Sequence, residues 1–421
     1  MSGSNRDGTT EAHVEAGGSA SDHRDRRVIG VVSFAHGLSH FTHLLLAPLF
    51  PWLKDAFSLS YAELGLLMTV FFVVSGIGQF LAGFVVDRVG PVPVLLGALS
   101  CFVLACLLLA AAPSYAVLCL GAALAGIGNA PFHPIDFSIL NSRVATPKLG
   151  HAYAIHGLSG SIGWAVAPVY LAGIAGIAGW RSALFAAAGL CALVSVVVFL
   201  NRRHLSVGRA EPAGGGAGAD GGRLFGFLGL PAVWLSFLFF TVYALAMGGV
   251  QSFAPTAAGA LHSIPLSTVA LCLTSYMLAS ALGMIGGGFL AKDPARAERV
   301  IAAGFGGAGL VALSMVLVSW PAWFVPVVFA VMGLAAGSAS PARDQLVRRA
   351  SPPGATGRVY GVVYSGLDVG MAFGPVLFGF LMDSGRPAAV WVAIAVFQML
   401  LIASAFFAGA RSRARLVSAG A

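Results

Sequence analysis

Apolar residues run along this chain in long blocks rather than in alternation, and polar residues gather between the blocks. Blocks of about 20 or more residues recur from Val28 to Ala410, each long enough for a helix to cross a hydrocarbon core of about 30 Å. The pattern predicts twelve spans, at 28–53, 61–84, 91–112, 115–139, 151–177, 180–201, 229–255, 266–291, 297–319, 321–343, 357–381 and 387–409. Gly and Pro occur inside several of them. Membrane helices tolerate such breakers because neighbouring helices re-satisfy the freed backbone groups. The fold class expected is an all-α membrane protein.

Polar stretches divide the blocks. The first 27 residues lack aromatics and alternate in charge, so they cannot bury enough surface to fold alone and read as a disordered tail. Between the sixth and seventh spans lies "RRHLSVGRAEPAGGGAGADGGR", Gly-rich and without apolar periodicity, which reads as a flexible linker. The expected organisation is a tail (1–27), a six-helix bundle (28–201), a linker (202–228), a second six-helix bundle (229–410) and a tail (411–421). A shift of 207 residues lays Pro134–Pro168 on Pro341–Pro375 without a gap, matching Gly150 with Gly357, Tyr153 with Tyr360, Gly163 with Gly370 and the terminal prolines with each other. A shift of 205 matches Gly78 with Gly283 and Gly83 with Gly288. Two parallel six-helix pseudo-repeats place a substrate site between them near the membrane midplane, exposed to each side in turn as the halves rock.

Composition and charge refine this picture. The chain is 58% hydrophobic and 10% charged, against about 25% charged in an average soluble domain. Its net charge of +8 is unevenly placed. With the N-terminus in the cytoplasm, Lys54, Arg181 and Arg386 fall outside and the other 21 of the 24 Lys and Arg fall inside. The positive-inside rule therefore puts both termini in the cytoplasm, and the basic excess requires no nucleic-acid partner. The tail has no apolar core of a secretory signal, so the first span is expected to be retained. The five cysteines all lie in apolar blocks without CxxC spacing and read as packing residues.

The loop after the second span, "GFVVDRVGP" (Gly83 to Pro91), resembles the Gly-x-x-x-Asp-Arg-x-Gly signature of the major facilitator superfamily. "GWAVAP" (Gly163 to Pro168) and "GMAFGP" (Gly370 to Pro375) are similar to the Gly-Pro signature of antiporters in that family, and here read mainly as helix-packing devices. A narrower resemblance is to fosmidomycin-resistance-like members, through "AHGLSHF" followed by Pro51, "APFHPIDF" with Phe132, His133 and Pro134, and "LSYAELGLL". The resemblance implies a major facilitator fold of twelve helices, alternating access, and efflux of a small organic or drug-like compound. Asp87 and Arg88 would pair across an inner gate. Two departures stand out: Pro91 and Val92 replace the usual basic pair, which makes that gate less charged, and His40 stands where the subgroup has an acid. Drug specificity is therefore not carried over.

An ionisable side chain at membrane depth marks a functional candidate by default. His36, His40 and His43 follow i, i+4, i+7 and share one helix stripe. His40 lies about 18 Å along the first span, near mid-depth. Imidazoles titrate near neutrality, so this stripe is a candidate for substrate binding or proton coupling. Asp368, near the middle of the eleventh span, is a candidate for the same roles; its repeat counterpart is Ser161, so the fold does not require the charge. His133, Asp136 and His156, with Arg343 and Asp344 in the matching region of the tenth span, are expected in an inner-gate network with Asp87 and Arg88. Glu63 suits the start of its helix.

A metal site is the sharper rival for the histidines, but no Cys or carboxylate shares the stripe and no HExxH occurs, so no metal or cofactor is expected. No nucleophile–base pair at a convincing spacing and no Walker A sequence supports an enzyme. The sequence thus reads as a proton-coupled secondary transporter of the cell inner membrane, functional as a monomer in the lipid bilayer and acting on a small molecule. Uptake of a small organic acid is the alternative within the same fold.

Overall fold

Capping and breaker residues cut the apolar blocks into helices. The computed structural model describes residues 8–207, 229, 231–290, 297–350 and 356–419, and among these the regular structure is entirely helical. One half comprises α1 (Gly8–His43), α2 (Phe50–Phe57), α3 (Tyr61–Val89), α4 (Pro91–Ala110), α5 (Tyr115–Asn129), α6 (Phe132–Arg143), α7 (Leu149–Ala178) and α8 (Trp180–Leu205). The other comprises α9 (Pro231–Ser252), α10 (Ala254–His262), α11 (Leu266–Leu290), α12 (Ala297–Leu317), α13 (Val325–Ala350), α14 (Thr356–Asp383) and α15 (Pro387–Ala419).

Eleven spans are long and apolar enough to cross a membrane, and a bent pair, Asp22–His43 with Ala47–Phe57 at 41°, makes up to twelve. The expected fourth span is α5 and α6 in succession, interrupted at Pro131, whose missing N–H cannot continue the backbone ladder. Helix α1 begins at Gly8, so residues 8–27 extend the first helix, and Lys148 Nζ holds Asp22 and Asp25 at 2.6 and 3.2 Å. Residues 208–228 of the expected linker lie outside the described residues. Large apolar side chains such as Ile177 (92% exposed) and Leu317 (79%) point outward, a surface that lipid rather than water would cover.

The halves repeat each other in detail. Each has a long helix followed by a short one, α1 with α2 and α9 with α10, and each short helix ends on a left-handed serine: Ser58 at φ 53° and Ser263 at φ 51°, 205 residues apart. Helix pairs approach to backbone contact through glycine, as small residues permit in membranes. A Cβ added to Gly163 of α7 would overlap the Gly37 carbonyl of α1, and one added to Gly370 of α14 would overlap the Thr241 carbonyl of α9. Gly126 of α5 against Phe71 of α3 and Gly333 of α13 against Tyr276 of α11 repeat the device.

Between the halves, α3 packs on α14 and α7 on α11. At the end of the bundle that carries Ser58 and Ser263, the Asp383 carboxylate accepts the Tyr61 and Ala62 backbone N–H groups at 2.7 and 2.8 Å. These are orphan donors of the first turn of α3, so one half caps a helix of the other. The same helix start carries its own capping box, Ser60 with Glu63. Deeper, the Thr69 hydroxyl donates to the Ala372 carbonyl at 2.5 Å, and the Thr274 hydroxyl donates to the Ala165 carbonyl at 2.8 Å.

Gly163→Val is expected to destabilise the first half by about 1–3 kcal/mol, the usual cost of overpacking, seen as a lower unfolding temperature in detergent. Loss of a helix cap costs about 1 kcal/mol, so Asp383→Ala should raise the open population of that end about fivefold. Maleimide labelling of a cysteine introduced at Thr69 in a cysteine-free background reads that population; unchanged labelling would show that Asp383 does not hold that end together.

Candidate functional site

The stripe predicted on α1 meets a carboxylate from another helix. His36 Nδ1 lies 2.9 Å from Asp136 Oδ2 of α6, and His156 Nε2 of α7 lies 3.0 Å from the same oxygen. An ionised carboxylate accepts only, so both imidazoles donate to it. The His36 and His156 rings stack with centroids 3.6 Å apart. Asp136 is completely buried, His36 and His156 nearly so. A carboxylate so far from water requires partners of this kind.

The backbone makes room for the stack. A Cβ at Gly160 of α7 would stand 2.7 Å from His40 Nδ1 and 3.2 Å from His36 Nε2. His40 continues the cluster, with its ring 4.4 Å from His36, 5.0 Å from His43 and 4.3 Å from Trp164. His133 is exposed at the rim, its ring 5.5 Å from His36 and 6.4 Å from His40. Two buried polar atoms in the cluster, Asp136 Oδ1 and His40 Nδ1, have no hydrogen-bond partner among the described residues.

A second network fixes His43. Asn129, at the end of α5 beside the Pro131 break, accepts at Oδ1 from the Ser39 hydroxyl (2.7 Å) and from His43 Nε2–H (3.0 Å), while its Nδ2 donates to the Ser75 hydroxyl (2.8 Å). Trp164 Nε1–H donates to His43 Nδ1 at 3.4 Å. One ring nitrogen gives and the other receives, so this pattern assigns His43 as the neutral Nε2–H tautomer.

The remaining candidates lie elsewhere. Asp368 of α14 is half-buried at the contact between halves; a Cβ at Gly76 of α3 would stand 3.1 Å from its Cβ, and its carboxylate has no hydrogen-bond partner among the described residues. Arg343 of α13 lies over the rings of Tyr243 (4.5 Å) and Phe240 (5.1 Å) on α9. Under the 207-residue shift Arg343 is the counterpart of Asp136, so the two halves place opposite charges at equivalent positions. The Asp344 side chain lies outside the described residues. Asp87 and Arg88 are exposed at the end of α3 and form no ion pair among the described residues. The fold thus joins His36 of the α1 stripe to Asp136 and His156, residues assigned from sequence to a separate inner gate. Asn129, Ser39, Ser75 and Gly160 have no ionisable group to mark them in the sequence; the one signal is the Asn129 amide in an otherwise apolar span.

Two repeated helical halves built from apolar spans, with a polar cluster buried inside the first, are the architecture of a membrane transporter. The chain belongs to the Major Facilitator Superfamily, whose family profile matches residues 32–330 and 237–420. It is 32% identical over 187 residues to the fosmidomycin resistance protein of Escherichia coli (strain K12), covering 44% of this chain and 45% of that one. It is 29% identical over 123 residues to a multidrug resistance protein B homolog of Mycobacterium tuberculosis, covering 29% of this chain and 23% of the relative. The chain therefore spans less than half the length of either relative. Among solved structures it is similar to an inward-facing, occupied bacterial homolog of the human lysosomal transporter Spinster, with TM-score 0.74, 18% identity, and coverage of 91% and 96% of the two chains. The nucleoside transporter NupG is similar too, with TM-score 0.71, 13% identity, and coverage of 91% and 98%. At such identities the structural likeness establishes the fold alone.

Asn129→Ala leaves His43, Ser39 and Ser75 without their shared partner. A loss of about 1–3 kcal/mol is expected for the buried groups left unpaired, measured by thermal unfolding in detergent, with Asn129→Asp retaining more stability than Ala.

Proposed function

We propose that this chain is a proton-coupled secondary transporter that exports a small organic or drug-like compound by alternating access. The observation that carries the reading is Asp368: a half-buried carboxylate without a hydrogen-bond partner among the described residues, set against Gly76 where α14 of one half meets α3 of the other. That contact must change when the halves rock, so the carboxylate's surroundings differ between the two access states. A proton bound in one state and released in the other couples the motion to a gradient.

The closed end, with Asp383 capping α3 across the halves, is the outer face in this reading, and both termini lie in the cytoplasm of a cell inner membrane. His40, His43 and Trp164 offer ring faces to an apolar or aromatic substrate. Arg343, seated over Tyr243 and Phe240 in the opposite half, suits an anionic group on it. The efflux direction draws on the resistance proteins among its relatives. The chain acts as a monomer, its two halves forming the cavity.

Everted vesicles carrying the protein and loaded acid-inside should accumulate substrate from the medium. Asp368→Asn should abolish this gradient-driven accumulation while retaining substrate counterflow without a gradient. Undiminished gradient-driven accumulation by Asp368→Asn would remove Asp368 from coupling, and accumulation only under the opposite gradient would favour uptake of a small organic acid.

A further inference from the structure

In the sequence, no Cys or carboxylate on the stripe of His36, His40 and His43 accompanies the imidazoles, and on that ground no metal is expected there. The fold supplies a carboxylate from α6. We propose that His36, Asp136 and His156 form a binding site for a divalent transition-metal ion of borderline softness, of the Zn²⁺, Co²⁺ or Ni²⁺ kind.

The candidate ligand atoms, one from each residue, all lie within 4.8 Å of one another, and all three residues are buried. The two histidine nitrogens already stand 2.9 and 3.0 Å from Asp136 Oδ2. Metal–ligand bonds of about 2.0–2.2 Å place neighbouring tetrahedral ligands about 3.3 Å apart, so the side chains need only small adjustments. Two imidazoles and a carboxylate are the donor set that suits such ions, whereas Mg²⁺ and Ca²⁺ prefer all-oxygen shells.

One further atom of the set, Asp136 Oδ1, points to a missing ligand. Asp136 Oδ1 and His40 Nδ1 are buried in the same cluster without hydrogen-bond partners among the described residues. Asp136 Oδ1 would complete a bidentate carboxylate, while His40, whose ring is 4.4 Å from that of His36, lies outside the three-residue ligand set. No net proton release is required from neutral rings: the hydrogens now on His36 Nδ1 and His156 Nε2 move to the opposite ring nitrogens, freeing the lone pairs that bind the ion. All the ligands belong to one half, so an ion would join α1, α6 and α7 without tying the halves together, and the site persists in either access state.

This inference does not depend on the direction or driving force of transport, and its test needs no substrate. The full chain, purified in detergent with an affinity tag free of histidine, is titrated with Co²⁺. One ion per chain is expected, with the visible absorption of a low-symmetry N/O site, displaced by Zn²⁺. Asp136→Asn and His156→Ala should each weaken binding at least about tenfold, a scale that loss of even an outer partner of a metal ligand reaches. His151→Ala and His204→Ala, which change histidines outside the cluster, should leave it unaltered. The unfolding profile of each apo variant checks its fold. X-ray absorption at the zinc edge of the wild-type chain provides a reading without substitution: imidazole scattering with N/O neighbours at about 2.0–2.2 Å supports the site. Binding insensitive to both cluster variants, or a zinc edge without imidazole scattering, overturns it.

Discussion

The contact between the backbones of Gly37 and Gly163 sets the arrangement of the polar cluster in the first half. Any side chain at Gly163 would push α7 away from α1. Because the two helices touch at backbone distance, His36 and His156 can stack and both reach the one carboxylate of Asp136. Gly160, one turn from Gly163, leaves the space that the His40 and His36 rings fill. Dispersion brings the helices together in lipid, where no hydrophobic driving force acts between them, and the close approach then places polar groups in pairs that hydrocarbon would otherwise make costly.

The second half repeats the scaffold with other chemistry. Gly370 against Thr241 does for α14 and α9 what Gly163 against Gly37 does for α7 and α1. Where the first half holds Asp136 between imidazoles, the second holds Arg343 over aromatic rings. A cation on an aromatic face is a smaller perturbation than a carboxylate in hydrocarbon, because the ring quadrupole attracts it and its long stem is itself apolar. The two halves therefore carry opposite charges at equivalent positions although their helices are packed alike.

Where α3 packs on α14 and α7 on α11, the polar bonds between the halves among the described residues are two helix-start amides on Asp383 and one hydroxyl–carbonyl bond each at Thr69 and Thr274. Bonds of this kind can break and re-form without disturbing either bundle.

The sequence by itself determined the spans, the duplication and the family, because hydrophobic length, fixed residue shifts and short Gly-Pro motifs are one-dimensional signals. It also picked out His36, Asp136 and His156, since ionisable groups in apolar blocks are conspicuous. It could not join them: they are 100 and 20 residues apart and come from three helices, whose rotation and spacing depend on contacts such as Gly163 with Gly37. The same holds for Asn129, whose network draws on α1 and α3 and is placed by the break at Pro131. Periodicity shows which face of a helix a residue occupies, but the partner opposite that face belongs to another helix. Only the tertiary packing decided which partner that would be.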